Sequence, residues 1–171
     1  MAPAPRAAAR SRVRRRHLSE REGGSAVFKH ILIATDGGDL SRKAVIHGVR
    51  LAKALGARVT ALTVMVPYRA ASMDAVLIAE TAEEHQASVG READRALEQA
   101  AMAAEAAGAT IETARETHDR PYRAIIDYAL AHQCDLIVMA SHGRRGVAAL
   151  VIASETAKVL SHSAIPVLVY R

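Results

Sequence analysis

Five runs of strand length, rich in apolar and β-branched residues, recur along the chain: Lys29-His-Ile-Leu-Ile-Ala-Thr35, Arg58 to Val66, Thr110 to Arg115, Leu136 to Met139 and Val167 to Tyr170. Between them the apolar positions change to helical spacing. From Ser41 to Leu55 the stripe is Ala44, Gly48, Leu51, Ala52 and Leu55, with Ser41 or Asp39 as the expected cap and Gly56 as the stop. Glu83 to Ala107 is an alanine-rich helix closed by Gly108, with Gly90 weakening its first half by about 1 kcal/mol relative to alanine. Pro121 suits a first helical position, followed by an inner face of Ala124, Ile125, Tyr128 and Ala129 up to His132. A last helix is expected from Ser154, with Ala157, Leu160 and Ser161 on one face. Tyr68 to Thr81 has no firm period, reads as either a mobile loop or a short helix, and carries no assigned chemistry. Strands alternating with helices imply a mainly parallel sheet covered on both faces, a three-layer α/β/α sandwich.

The fourth run, Leu136-Ile-Val-Met139, stops abruptly at Ala140-Ser-His-Gly143-Arg-Arg-Gly146, residues suited to a phosphate-facing loop. Ten residues beyond Gly143, Ala153-Ser154 opens the last helix. Free backbone N–H groups and the positive end of a helix dipole would then meet a glycine loop, an arrangement that binds anions.

Ala140-Ser-His-Gly143, nine residues, then Ala153-Ser154 resembles the nucleotide loop of the universal stress protein (UspA-like) family, usually Gly-x-x-Gly, nine residues, Gly-Ser/Thr. The resemblance runs from Phe28-Lys-His-Ile-Leu-Ile-Ala-Thr-Asp36-Gly to Ile165-Pro-Val-Leu-Val-Tyr-Arg171. It implies a five-stranded parallel sheet of order 3-2-1-4-5, the adenine nucleotide alpha-hydrolase-like fold, with Asp36 and Gly143 brought to one crevice where the strand order reverses. It further implies ATP or another adenine nucleotide, with Mg as an optional companion, held by Ala34, Asp36, Val64, Met139, Ala140, Gly143, Arg144, Arg145, Ser154 and Glu155. The family commonly dimerises through its last strand, which here is Ile165 to Tyr170; protein partners are unknown. Two of the three loop glycines are alanine in this chain, at 140 and 153. A non-glycine residue held at positive φ is strained by about 1 kcal/mol or more, whereas alanine at ordinary φ costs little.

Composition narrows the alternatives. At 171 residues one domain is the expectation, residues 28–171, preceded by an arm over 1–27. The net charge of +5 belongs to that arm: residues 1 to 28 hold seven arginines and two glutamates, leaving sixteen basic and sixteen acidic residues beyond them. The arm, with Arg10-Ser-Arg-Val-Arg-Arg-Arg16 and almost nothing to bury, is expected to be disordered. It lacks the apolar core of a secretory signal, and its translation start is expected nearer Val27. Aromatics make up only 3%, which weakens a single-stranded nucleic-acid reading based on stacking. Cys134 is the sole cysteine, so no internal disulfide forms and a reducing, cytoplasmic setting fits. No apolar run reaches the roughly 18 to 20 residues that span a bilayer.

Each candidate residue has a structural reading beside its chemical one. Asp36 could accept hydrogen bonds from ribose hydroxyls or a base amino group, or be a helix-capping aspartate in a β–α turn. Val64 could expose backbone to adenine or be an ordinary core valine, and Thr35 reads as structural. Gly143 lets backbone approach a phosphate, with Ser141, Ser154 and the Glu155 amide as donors. Arg144 and Arg145 offer bidentate phosphate contacts or form a solvated pair, and His142 could touch a phosphate or fix the loop. Other phosphate chemistries fit poorly. Thr35-Asp-Gly-Gly-Asp-Leu-Ser41 only partly echoes the Ser-Gly-Gly-x-Asp-Ser of ATP-pyrophosphatases, and Gly-Lys-Ser/Thr of a P-loop is absent. A receiver domain would want an aspartate after strand three and a lysine after strand five, where this chain has Glu116-Thr-His-Asp119 and none. His118-Asp119 lacks partners at ligand spacing and reads as the start of a helix. No positioned general base or metal-binding carboxylate pair is found, so the expectation is a nucleotide-binding sensor with at most slow hydrolysis. Its rival is a dimeric scaffold without nucleotide.

Overall fold

The computed structural model describes residues 27–67, 82–141 and 155–171. The elements are β1 (His30–Ala34), α1 (Asp39–Leu55), β2 (Arg58–Met65), α2 (Ala82–Ala106), β3 (Glu112–Thr117), α3 (Pro121–Ala131), β4 (Leu136–Ala140), α4 (Glu155–His162) and β5 (Val167–Tyr170). They build a five-stranded sheet of order β3-β2-β1-β4-β5 in which every pairing is parallel. The fold class and strand order implied by the sequence are those observed.

The alternation of side chains along the central strands feeds two cores. Ile31, Ile33, Val59, Ala61, Leu136 and Val138 pack with Val45, Val49 and Ala52 of α1 and Ala100 and Ala104 of α2. Leu32, Ala34, Leu62, Ile137 and Met139 pack on the other face with Ile125, Ile126 and Ala129 of α3 and Val159 of α4. β1 and β4 are buried at all five positions each, as strands covered on both faces must be. Close approach of α1 to the sheet depends on Gly48, where a Cβ would come within 2.7 Å of Ile33 Cδ1. At the amino-terminal ends of the strands, the Asp135 carboxylate accepts the amides of Lys29 at 2.8 Å and His30 at 3.0 Å, tying β1 to β4.

Several local expectations need correction. α1 is capped by neither Ser41 nor Asp39: its N-cap is Gly38, without a side-chain cap bond, because Ser41 is buried and turned to the β1–α1 turn. Gly56 does end the helix, at φ 65 with its N–H on the last carbonyls. β3 runs two residues later than expected, since Ile111 packs into the core before pairing with β2 begins. Ala140 is the last residue of β4 and not part of the loop. The inner face of α4 is Thr156 and Val159, while Ala157, Leu160 and Ser161 are exposed. An alanine and a leucine at helical spacing mimic a core face, but the β-branched pair three apart meets α3 and the sheet. Tyr68 to Thr81 lies outside the described residues.

Candidate functional site

β1 and β4 are neighbours, yet the chain leaves them on opposite sides: α1 joins α2 over one face and α4 joins α3 over the other. The divergence makes this pair the topological switch point, and in open α/β sheets ligands bind in the crevice beyond the carboxyl ends of the strands at such a point.

On the β1 side the chain turns at Thr35-Asp36-Gly37-Gly38. Thr35 Oγ1 lies 2.6 Å from Ser41 Oγ, and both residues are buried. Ser41 Oγ accepts the Asp36 amide at 3.2 Å, Thr35 Oγ1 accepts the Gly37 amide at 3.2 Å, and Gly37 takes φ 74. The Asp36 carboxylate accepts the Gly38 amide at 3.0 Å and so closes the turn that leads into α1, whose N-cap Gly38 carries no side-chain cap bond. Thr35 is structural, as expected, and is joined to β2 by its amide on the Leu62 carbonyl and its carbonyl under the Thr63 hydroxyl, both at 2.9 Å. Ala34 pairs with Leu62, and the chain leaves the ladder into the turn beside the end of β2. Val64 is half-buried and packs on the α3/α4 core, so its ordinary packing role is real. Ala34 and Met139 belong to that same core.

On the β4 side, Ala140 pairs with Tyr170, and the Ser141 amide donates to the Tyr170 carbonyl at 2.8 Å. Among the described residues the only non-glycine with positive φ is Gln133, so Ala140 is unstrained and its methyl group carries no backbone penalty. The start of α4 is held twice. The Thr156 hydroxyl donates to the Ala140 carbonyl at 2.7 Å, and the Glu155 carboxylate accepts the Tyr122 amide at 2.7 Å at the start of α3. Its second oxygen meets Lys158 Nζ at 2.6 Å. Sequence reasoning assigned Glu155 only its amide and passed over Thr156; a hydroxyl within the first turn of an expected helix, after a strand end, was the available signal. His142, Gly143, Arg144, Arg145, Ala153 and Ser154 lie outside the described residues.

His118 and Asp119 serve the start of α3, as expected: His118 Nδ1 lies 2.9 Å from the Arg120 amide and 3.1 Å from Asp119 Oδ1. Among the described residues no group of three His, Cys, Asp or Glu side chains is arranged to hold a metal ion, and no helix is long and apolar enough to cross a membrane. Burial pushes the Cys134 thiol up to about 11, with Arg58 opposing and Asp135 and Glu112 adding to the shift. That thiol sits at the amino-terminal ends of β1 and β4, beside His30, at the end of the sheet opposite the Asp36 turn. A separate cavity of about 250 Å³ opens between α1 and α2, lined among others by Thr35, Arg42, Ile46 and Met102.

A doubly wound parallel domain with its crevice at the β1/β4 switch point is the class that these features define. The universal stress protein family model matches residues 28–171, and the chain belongs to that family. A universal stress protein of Methanocaldococcus jannaschii is 30% identical over 152 residues, covering 86% of this chain and 85% of the relative. One from Thermus aquaticus is 32% identical over 145 residues, covering 85% of this chain and 100% of the relative. Among solved structures, a universal stress protein in complex with cAMP is similar with a TM-score of 0.65 at 27% identity, covering 86% of this chain and 99% of that one.

Proposed function

We propose that this chain binds an adenine nucleotide, ATP or a smaller relative such as cAMP, in the β1/β4 crevice, and that it acts as a stress-response regulator in the cytoplasm. Asp36 takes the nucleoside end, because a carboxylate beside phosphates would repel them. Val64, Ala34, Met139 and Ala140 line the middle. Gly143, Arg144, Arg145, Ser154 and the Glu155 amide meet the phosphates, and Mg has no protein cage in this reading but arrives on the nucleotide. The observation that carries the proposal is the turn at Asp36, held by the Thr35 and Ser41 hydroxyls just past β1, with Ala140 unstrained at the end of the neighbouring β4. A family relative solved with cAMP supports it. Hydrolysis is assigned no positioned base and is expected to be slow.

The proposal includes a homodimer through Ile165–Tyr170. β5 is an edge strand of Val, Leu, Val and Tyr with Leu168 46% exposed, an apolar edge of the kind that pairs with a second copy. The dimer would persist in the rival scaffold reading, so nucleotide binding is what separates the two. Equilibrium binding of ATP and of cAMP to the purified chain tests it: saturable binding that Asp36→Ala and Gly143→Val each weaken supports the proposal. No saturable binding at millimolar nucleotide, or binding that both variants leave intact, favours the scaffold.

A further inference from the structure

We infer that the buried hydroxyl pair Thr35–Ser41 is a positioning device for Asp36, a role that deepens the nucleotide reading and rests on it. Thr35 and Ser41 are 7% and 3% exposed. Burying two hydroxyls is unfavourable unless each finds partners. Their partners are informative. Ser41 stands in the first turn of α1, where a serine ordinarily serves the helix, yet the N-cap is Gly38 and has no side-chain bond. The Ser41 hydroxyl instead accepts the Asp36 amide, and the Thr35 hydroxyl beside it accepts the Gly37 amide. Together they hold the backbone on both sides of the Asp36 side chain.

The other two polar groups of Thr35 face the opposite way. Its amide and carbonyl are bonded to Leu62 and Thr63 of β2. Residue 35 is therefore pinned to α1 by its side chain and to β2 by its backbone, and Asp36 follows it with little freedom relative to the end of β2. A helix start alone would need none of this, since one hydroxyl at position 38 would cap α1. A carboxylate that must meet a nucleoside in one geometry does need it, because misplacement of a binding group is paid in affinity and discrimination.

The test is a double-mutant cycle on adenosine and ATP binding, with thermal melting followed in parallel. Thr35→Val removes the hydroxyl at constant shape and should weaken adenosine binding by roughly tenfold, in the direction of Asp36→Ala; Thr35→Ser keeps the hydroxyl and should stay within about twofold of the parent. In the Asp36→Ala background the Thr35→Val effect should vanish. Additive losses, or undiminished binding by folded Thr35→Val protein, overturn the inference while leaving the nucleotide site in place. Should Thr35→Val fail to fold, Ser41→Ala, which adds no volume, is put through the same cycle with the same two readings. If Asp36→Ala binds adenosine as well as the parent does, the assignment of Asp36 to the nucleoside falls and the positioning role falls with it.

Discussion

At the end of β1 the chain turns through a buried hydroxyl pair only six residues apart, Thr35 and Ser41, and a glycine at φ 74. At the end of β4 the corresponding anchors reach further: Thr156 returns to the Ala140 carbonyl across 16 residues, and Glu155 to the Tyr122 amide across 33. The first junction is mostly local: its side-chain bonds close within six residues, and its links to β2 are the Thr35 amide and carbonyl on Leu62 and Thr63. The second exists only when α3, α4 and β4 are already assembled. The two sides of one crevice thus differ in what holds them. The side-chain bonds of the β1 side are short-range and those of the β4 side long-range, so the latter is expected to be the side that local unfolding releases first.

Four changes break or sharpen that contrast. The largest effect is expected from Gly48→Val, which drives a Cβ to 2.7 Å from Cδ1 of the fully buried Ile33; overpacking of this kind costs about 1–3 kcal/mol. Denaturant titration reads it, and an unchanged midpoint would mean that α1 can lift off β1 without cost. Thr156→Val comes next. It removes a buried hydrogen bond worth about 0.5–1.5 kcal/mol, and hydrogen exchange should quicken at the start of α4 while the Asp36–Gly38 turn keeps its protection. Equal quickening at both junctions would erase the distinction between them.

Smaller effects come from positions away from the crevice. A Cβ at Gly90 meets open space within α2, so Gly90→Ala should stabilise the chain by up to about 1 kcal/mol, seen as a raised melting temperature with both junctions unchanged. The smallest is a pH dependence from Cys134. Its thiol ionises near 9 when unfolded and about 11 when folded, so the folded state keeps a proton that the unfolded state loses. The contribution is full below pH 9 and is lost as pH rises from 9 toward 11. Melting temperatures of Cys134→Ala should therefore fall less steeply than those of the parent between pH 8 and 10, and parallel slopes would contradict the assignment.

The same contrast explains how much was legible beforehand. The two buried central strands and the turn after β1 follow from periodicity and glycine placement, which are local signals, while the strand order was implied by the family resemblance. The capping of α1 was misread because Ser41 has the right residue type at the right distance; burial against Thr35, a tertiary fact, decided its partner. The inner face of α4 was misread for the reverse reason: Ala157 and Leu160 satisfy a helical period, but Thr156 and Val159 are the pair that reach Ala140 and the core. Glu155 was assigned through its amide, while its carboxylate binds the start of α3, a partner no sequence spacing announces.

A crystal grown with ATP tests the central claim most directly. The account predicts a nucleoside within hydrogen-bonding distance of the Asp36 carboxylate, and phosphates beside the amide end of α4. An empty β1/β4 crevice at saturating ATP, or nucleotide seated instead in the cavity between α1 and α2, would contradict it.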